Sequence, residues 1–412
     1  MNLFELIAVL VVLAAVFGYI NARLIRLPTT IGVMAVGLVF SLALLGVGML
    51  GFEGATDWAQ SVISSVDFDD VVLNAMLSVL LFAGALHVRL AVLGRQWRLI
   101  GLLATVGVVA STALIGVGLY LLQGLLDAGL PFIYCLLFGA VIAPTDPVAV
   151  LGIVKRLGLP EKLQTRIAGE SLFNDGFAVV VFVAIAAIAS GEGEGAAGVA
   201  WLFAEEVVGG LLLGGVLGGV GFWLMRSLDD YLVEVLITLA LVLGGYALAV
   251  RLHLSGPLAV VVAGLLIGNP GREHAMAPDT RERVDQFWEL ADELLNVVLF
   301  LLIGMELLVI AFQPQPLVMG LVAIPLVLLA RFMAVGGVIR TLSAFRDFER
   351  GTTRLLTWGG LRGGISVALA LSLPAGPERE IIVTMTYVVV VFSVLVQGLT
   401  VAPLVRRLNA GG

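Results

Sequence analysis

The sequence predicts an all-α polytopic membrane protein. Thirteen transmembrane helices are expected, N-terminus out and C-terminus in, as two inverted six-helix repeats with crossed broken helices in spans 5 and 12. Three observations predict this. The 412-residue chain is 60% hydrophobic with a mean hydropathy of +1.09, and only 13% of it is charged, against about 25% in soluble domains. Its apolar residues gather in stretches of about 20, the length that crosses a hydrocarbon core. Its basic residues segregate to alternate loops, as the positive-inside rule requires. Other classes are excluded. Cys135 is the single cysteine, so no disulfide scaffold exists. A net charge of −7, a pI near 5.1 and no basic stripe argue against nucleic-acid binding.

Taken in order, residues 3–20 are apolar with no basic segment before them and no A-x-A site after, so they read as a retained span and not a cleaved signal. The remaining spans are expected near 30–50, 70–87, 99–122, 130–154, 166–190, 199–225, 231–250, 254–268, 291–311, 316–339, 353–373 and 380–405. Residues 272–290 are charged on most turns and read as a separate interfacial amphipathic helix. With the N-terminus outside, nineteen of the 23 Lys and Arg fall on the cytoplasmic side, from Arg23 and Arg26 to Arg406 and Arg407. Only Arg251 and Arg379 fall opposite, where loops carry acids such as Glu53, Asp57, Asp67, Asp69 and Asp70. Arg331 and Arg362 remain, and both lie within spans.

An ionisable group at mid-bilayer costs about 2.5–3.5 kcal/mol, so such groups have partners or tasks. The mid-span set is Asp146, Glu170, Asp175, Arg331 and Arg362. Glu5, Glu234, Glu293 and Glu306 lie nearer span ends, where snorkelling to the headgroups is expected. In span 6, residues four apart share a face. Glu170 therefore stands over Asn174 and Ser171 over Asp175, giving two polar columns in an apolar helix. Two carboxylates, a hydroxyl and an amide carbonyl suit a hard monovalent cation such as Na⁺ and do not suit zinc or copper. The plain alternative is a buried network that ties helices together.

Span 5 contains Pro144-Thr-Asp-Pro147. Two prolines should open the helix and free carbonyls near Ala143 and Thr145, with Asp146 neutralising a positive half-helix end. In span 12, Gly359, Gly360, Gly363 and Gly364 surround Arg362 and should loosen the helix there, with the arginine facing carbonyl-bearing ends. Breaks seven spans apart run in opposite directions, so helices 1–6 and 8–13 read as inverted repeats around a mid-membrane substrate site.

The strings Ala143-Pro-Thr-Asp-Pro-Val-Ala-Val150, Gly169-Glu-Ser-Leu-Phe-Asn-Asp-Gly176 and Leu356-Thr-Trp-Gly-Gly-Leu-Arg-Gly-Gly364 resemble the cation/proton antiporter-1 family, in particular its prokaryotic NhaP-type Na⁺/H⁺ antiporters. Ser255-Gly-Pro-Leu-Ala-Val-Val-Val-Ala-Gly264 and Phe300-Leu-Leu-Ile-Gly-Met-Glu306 fit the same pattern. The resemblance implies a homodimer with a transport core that moves as an elevator. It implies that Asp175 exchanges cation for proton, that Thr145 and Ser171 add oxygens to the Na⁺, and that Asn174 orders the site; Asp146 is counted with them as a candidate cation/proton-binding residue. It also implies that Arg331 holds Glu170. Relatives with a Phe-Glu-Gly-Gly string carry an acid on helix 3. Phe82-Ala83-Gly84-Ala85 stands here, so no ion contact from helix 3 is expected. Five residues follow Arg407, so regulation by a large cytosolic domain is not expected.

The expected function is exchange of Na⁺ for H⁺ across a prokaryotic cytoplasmic membrane, one for one, serving pH and sodium homeostasis without a cofactor. Li⁺ and K⁺ are open as alternative cargoes, including K⁺/H⁺ exchange. Core helices are expected at about 70–190 and 291–405, chiefly 99–190 and 316–405. Dimerisation and scaffold helices are expected at about 1–50 and 199–268. An intramembrane hydrolase is disfavoured because His87, His253 and His274 lie at helix ends or in a loop and no Gly-x-Ser-x-Gly string exists. A passive channel is disfavoured because the charges concentrate in one pseudo-symmetric core instead of forming rings.

Overall fold

Apolar stretches that lack internal breakers fold as single long helices. In the computed structural model the clearest examples are Glu161–Ser190, Gly195–Arg226 and Pro314–Ser343. The structure describes residues 2–51, 53–64, 68–124, 129–156, 161–191, 195–310, 313–344, 348 and 351–410. Asp67, Arg346 and Arg350, which enter the charge asymmetry, lie outside the described residues, as do the side chains of Glu53, Asp69, Asp70, Lys155, Arg156 and Lys162. Among the described residues every regular element is helical, apart from one isolated antiparallel bridge between Asp146 and Leu361.

Eight of these helices are long and apolar enough to cross a membrane, which makes the protein a multi-pass membrane protein. They coincide with predicted spans 1, 2, 4, 6, 7, 8, 11 and 13. The other five predicted spans are helical too, but differ for physical reasons. Val71–Leu86 is short, residues 256–271 are short, the spans at 130–154 and 353–373 are each broken into two half-helices, and Pro278–Met305 is polar over its first half. On Gly195–Arg226 Trp201 and Trp223 stand at the two ends of an exposed apolar stripe. Their separation of 22 positions is about 33 Å along a helix, close to the hydrocarbon thickness, where tryptophan anchors at both interfaces.

Two expectations are corrected, and one element is added. Residues 272–290 do not form a separate interfacial helix. One helix runs unbroken from Pro278 to Met305, because Pro278 starts it and no glycine or proline follows before Gly304. Its polar half is held by Trp288, which stacks at 4.7 Å on Phe82 and donates through Nε1 to Thr238 Oγ1 at 3.0 Å. Glu234 and Glu306 do not snorkel. Both are buried, Glu234 fully, and Glu306 Oε2 has no hydrogen-bond partner. Finally, the loop between spans 2 and 3 contains a helix, Glu53–Ser64, fixed by Thr56 Oγ1 donating to Leu44 O at 3.1 Å and Gln60 Nε2 donating to Leu308 O at 2.8 Å.

Buried apolar residues form two clusters. One joins spans 1, 2, 4, 5 and 6 to the second half of Pro278–Met305 and to spans 11–13. The other joins the helix Leu77–Leu86 to spans 7, 8 and 9 and to the first half of Pro278–Met305. Within the first cluster, Thr29–Met49 lies on Pro278–Met305 at a glycine contact. A β-carbon on Gly304 would stand 2.7 Å from the Met34 carbonyl oxygen and 3.2 Å from Gly37 Cα. Gly304→Val should therefore separate these helices and destabilise the protein by about 1–3 kcal/mol. A lowered thermal midpoint in detergent checks this, and an unchanged midpoint would show that the contact yields freely.

Candidate functional site

The site begins with two failures of helix. Pro144 supplies no N–H, and a residue preceding proline avoids the helical region, so the helix fails around Thr145: Ala143 is still helical as the C-cap, while Asp146, ahead of Pro147, bridges to Leu361. The first half-helix, Phe132–Ile142, ends there and the second, Val148–Arg156, begins. In span 12, Thr352–Trp358 gives way to Gly359–Gly363, and Gly364–Leu371 continues. Hydrocarbon cannot satisfy the freed backbone groups, so the two breaks satisfy one another. Asp146 N donates to Leu361 O at 2.8 Å where the extended segments cross. Arg362 Nη1 donates to both Ala143 O and Pro144 O at 2.8 Å, compensating the carbonyl end of the opposite span. The Ala143 carbonyl also lies 3.4 Å from Asn174 Nδ2, so it is committed to protein donors and does not face an ion.

Asp146 caps the second half-helix, its Oδ1 accepting from Val148 N at 2.9 Å. Its side chain lies against Gly363, where a β-carbon would stand 2.7 Å from Asp146 Cβ, so only glycine permits this crossing. Span 13 completes the cradle with a π-helical turn at Ser393–Gln397. Ser393 Oγ accepts from Arg362 N at 2.8 Å and donates to Gln397 Oε1 at 2.7 Å, while Gln397 Nε2 donates to Trp358 O at 3.1 Å. Sequence reasoning missed both residues. The available signal was a polar pair four apart in an otherwise apolar span.

The helix Glu161–Ser190 carries its polar columns against the first break. Thr145 Oγ1 and Ser171 Oγ are 3.1 Å apart, and Asn174 Nδ2 donates to Thr145 Oγ1 at 3.1 Å. Glu170, one turn before Asn174, forms an ion pair with Arg331, both nearly fully buried. The structure thus brings Thr145, Asp146, Glu170, Ser171, Asn174, Asp175, Arg331 and Arg362 into one region. Within it, Asp175 Oδ1 and Asn174 Oδ1 are buried and have no hydrogen-bond partner. Buried acceptors are rarely left so, and these two point to a ligand that donates charge.

A cavity of about 600 Å³ reaches this point. Asp175, Thr145 and Asp146 line one end, and His87, Arg89, Gln164, Glu289 and Glu293 line the other. It runs between the two apolar clusters, with Leu77–Leu86 forming much of the wall opposite the breaks. Ser366 and Asn296, neither singled out from sequence, also line it. The oxygens of Thr145, Ser171, Asn174 and Asp175 suit a hard cation, and among the described residues no group of three or more His, Cys, Asp and Glu could hold a metal.

The sodium/hydrogen exchanger transmembrane family profile matches residues 11–407. The chain belongs to the sodium/hydrogen exchanger family. Members are transporters, and the chain is a transporter and not an enzyme. It is 52% identical over 412 residues to the Na⁺/H⁺ antiporter NhaP of Pseudomonas aeruginosa, covering 99% of this chain and 97% of that one. It is 36% identical over 402 residues to the Na⁺/H⁺ antiporter NhaH of Halobacillus dabanensis, covering 94% of each. Its fold matches the sodium proton antiporter MjNhaP1 of Methanocaldococcus jannaschii with a TM-score of 0.77 at 20% identity, over 99% of both chains. The Glu170–Arg331 pair is buried inside this fold. Removing one partner of such a buried pair strands the other charge at a cost of about 3–5 kcal/mol. Glu170→Ala and Arg331→Ala should each lower purified yield and thermal midpoint together with transport. Normal yield and midpoint in both variants would show that the pair is not structural.

Proposed function

We propose that this exchanger carries Na⁺ in exchange for H⁺ at one site centred on Asp175. Thr145 and Ser171 contribute oxygens to the ion, Asn174 orders them, and Asp146 and Arg362 hold the two breaks around it. One observation carries the reading: Asp175 Oδ1 is buried, has no protein partner and stands where the cavity meets the crossing helices. The names of the relatives above support Na⁺ as the cargo. A carboxylate that holds either a proton or a cation cannot hold both, and alternating exposure of such a site produces exchange.

Charge counting supports a one-for-one exchange. Asp146, Glu170 and Asp175 face Arg331 and Arg362, so the region lacks one positive charge, which one Na⁺ or one H⁺ supplies equally. No second titrating cation is at hand, because the only lysines are Lys155 and Lys162, both near the loop after span 5, and arginine stays protonated. The basic asymmetry supports thirteen spans, N-terminus out and C-terminus in, across the prokaryotic cytoplasmic membrane. The part of the cavity lined by Arg89, Glu289 and Glu293 then faces the cytoplasm. Spans 4–6 and 11–13 act as the moving core. Spans 1–2 and 7–9 act as the scaffold, which pairs in a homodimer. The cavity lies on the seam along which they slide. No cofactor enters the cycle, and the physiological role is pH and sodium homeostasis.

Exchange in everted vesicles with Na⁺, Li⁺ and K⁺ in turn tests the cargo. Asp175→Asn keeps the size of the side chain and removes its charge, so exchange should vanish while the thermal midpoint stays near the parent value. Retained exchange would remove Asp175 from the mechanism. Because protons compete with the cation, each unit fall in pH should raise the apparent Na⁺ KM by up to about tenfold without lowering kcat. A KM independent of pH would refute a shared site. Recording on a solid-supported membrane should show no sustained, potential-dependent current, and such a current would refute one-for-one coupling.

A further inference from the structure

Ser366 is the third residue of the half-helix Gly364–Leu371, 1% exposed, and its Oγ has no hydrogen-bond partner. Helical serines ordinarily dispose of the hydroxyl proton on a carbonyl one turn back. Ser78, Ser190, Ser227 and Ser372 do so here, donating to Ala75 O, Ala187 O, Leu224 O and Leu369 O at 2.7–3.1 Å. The corresponding carbonyls for Ser366 belong to Arg362 and Gly363, and it bonds neither. Its residue instead lines the cavity together with Thr145, Asp146 and Asp175. A buried hydroxyl without a partner is unfavourable, so its position has to be compensated during the cycle.

The ion's own oxygen count points to the same place. Asp175 Oδ1 and Asn174 Oδ1 are open acceptors, and the Thr145 and Ser171 hydroxyls are engaged with one another. All four lie on spans 5 and 6, so they approach a cation from one side. Hard cations gather about six oxygens, including retained water, from all sides. Among the cavity-lining residues of span 12, Gly363, Gly364 and Ile365 offer no side-chain oxygen, and Ser366 does.

We propose that Ser366 supplies an oxygen from the second broken span to the Na⁺ held at Asp175, directly or through a water the ion retains, and so sets which monovalent cation is accepted. This rests on the reading of the site given above. The half-helix of span 12 thereby takes part in binding as well as in support. A serine hydroxyl is small, so the distance it imposes favours one ionic radius over another.

The experiment compares parent, Ser366→Ala, Ser366→Thr and Asp175→Asn in proteoliposomes. It measures apparent KM and kcat for Na⁺ and for Li⁺ at fixed pH, with thermal midpoints of the purified proteins. Loss of one ligand to a charge should raise the Na⁺ KM of Ser366→Ala by about tenfold and change the Li⁺-to-Na⁺ KM ratio, with kcat held within about twofold and an unchanged midpoint. Ser366→Thr, which keeps the hydroxyl, should return the KM to within about threefold of the parent. An unchanged KM and cation ratio in Ser366→Ala, with Asp175→Asn inactive, would overturn the role of Ser366 and leave the site reading standing. A fall in kcat and midpoint at constant KM would overturn it as well, by making the residue structural. An active Asp175→Asn would overturn the site reading and the ligand role together.

Discussion

A membrane helix that breaks must find partners for its freed backbone groups inside the protein, and this constraint governs the whole core. Neither broken span meets it alone. Pro144 and Pro147 open one helix and the glycines around Arg362 open the other, and each opening supplies what the other lacks. Leu361 gives a carbonyl to Asp146 N, Arg362 gives donors to Ala143 and Pro144, and the Asp146 carboxylate caps Val148. Lipid offers none of these groups, so the crossing is obligatory and its geometry is narrow. Gly363 shows how narrow, since the Asp146 side chain occupies the space a β-carbon would need.

The crossing also explains why two carboxylates five residues apart on one helix have different surroundings. Glu170 faces Arg331 and is paired there. Asp175 faces the break, where the nearby guanidinium of Arg362 is already committed to two carbonyls. An arginine spent on backbone compensation attracts Asp175 without bonding to it, and the carboxylate keeps an open oxygen. The same fixed charge that steadies the crossing therefore leaves the site one positive charge short.

Much of this was legible in the chain. Proline and glycine clusters act locally, so both breaks could be placed to within a residue or two. The four-residue repeat of a helix likewise set Glu170 over Asn174 and Ser171 over Asp175. What could not be read was long-range. Nothing in Ser393 or Gln397 announces that a π-turn in span 13 will hold the backbone of Arg362. The burial of Glu234 and Glu306 depends on which helices close over the span ends, a property of packing and not of depth alone. The polar half of Pro278–Met305 was misread for a related reason. Its charges resemble an interfacial helix, yet Trp288 packs on Phe82 and Thr238 and draws the segment into the protein.

The walls of the cavity bear on how a fixed ligand set could be carried through the membrane. The side contributed by the helix Leu77–Leu86 is Leu77, Leu80, Leu81, Ala83 and Gly84, none of which can hold a cation. Asn296 lines the cavity from Pro278–Met305, but its amide donates to Asp292, to the backbone carbonyl at 2.8 Å and the carboxylate at 3.1 Å. The oxygens proposed above to bind the cation belong to spans 5, 6 and 12, which contribute to one apolar cluster. An acid at position 83 would have offered the cargo a further carboxylate from the helix Leu77–Leu86. With alanine there, a core that moves as one body, as proposed above, carries the proposed ligands of the ion past an aliphatic stretch of Leu77–Leu86.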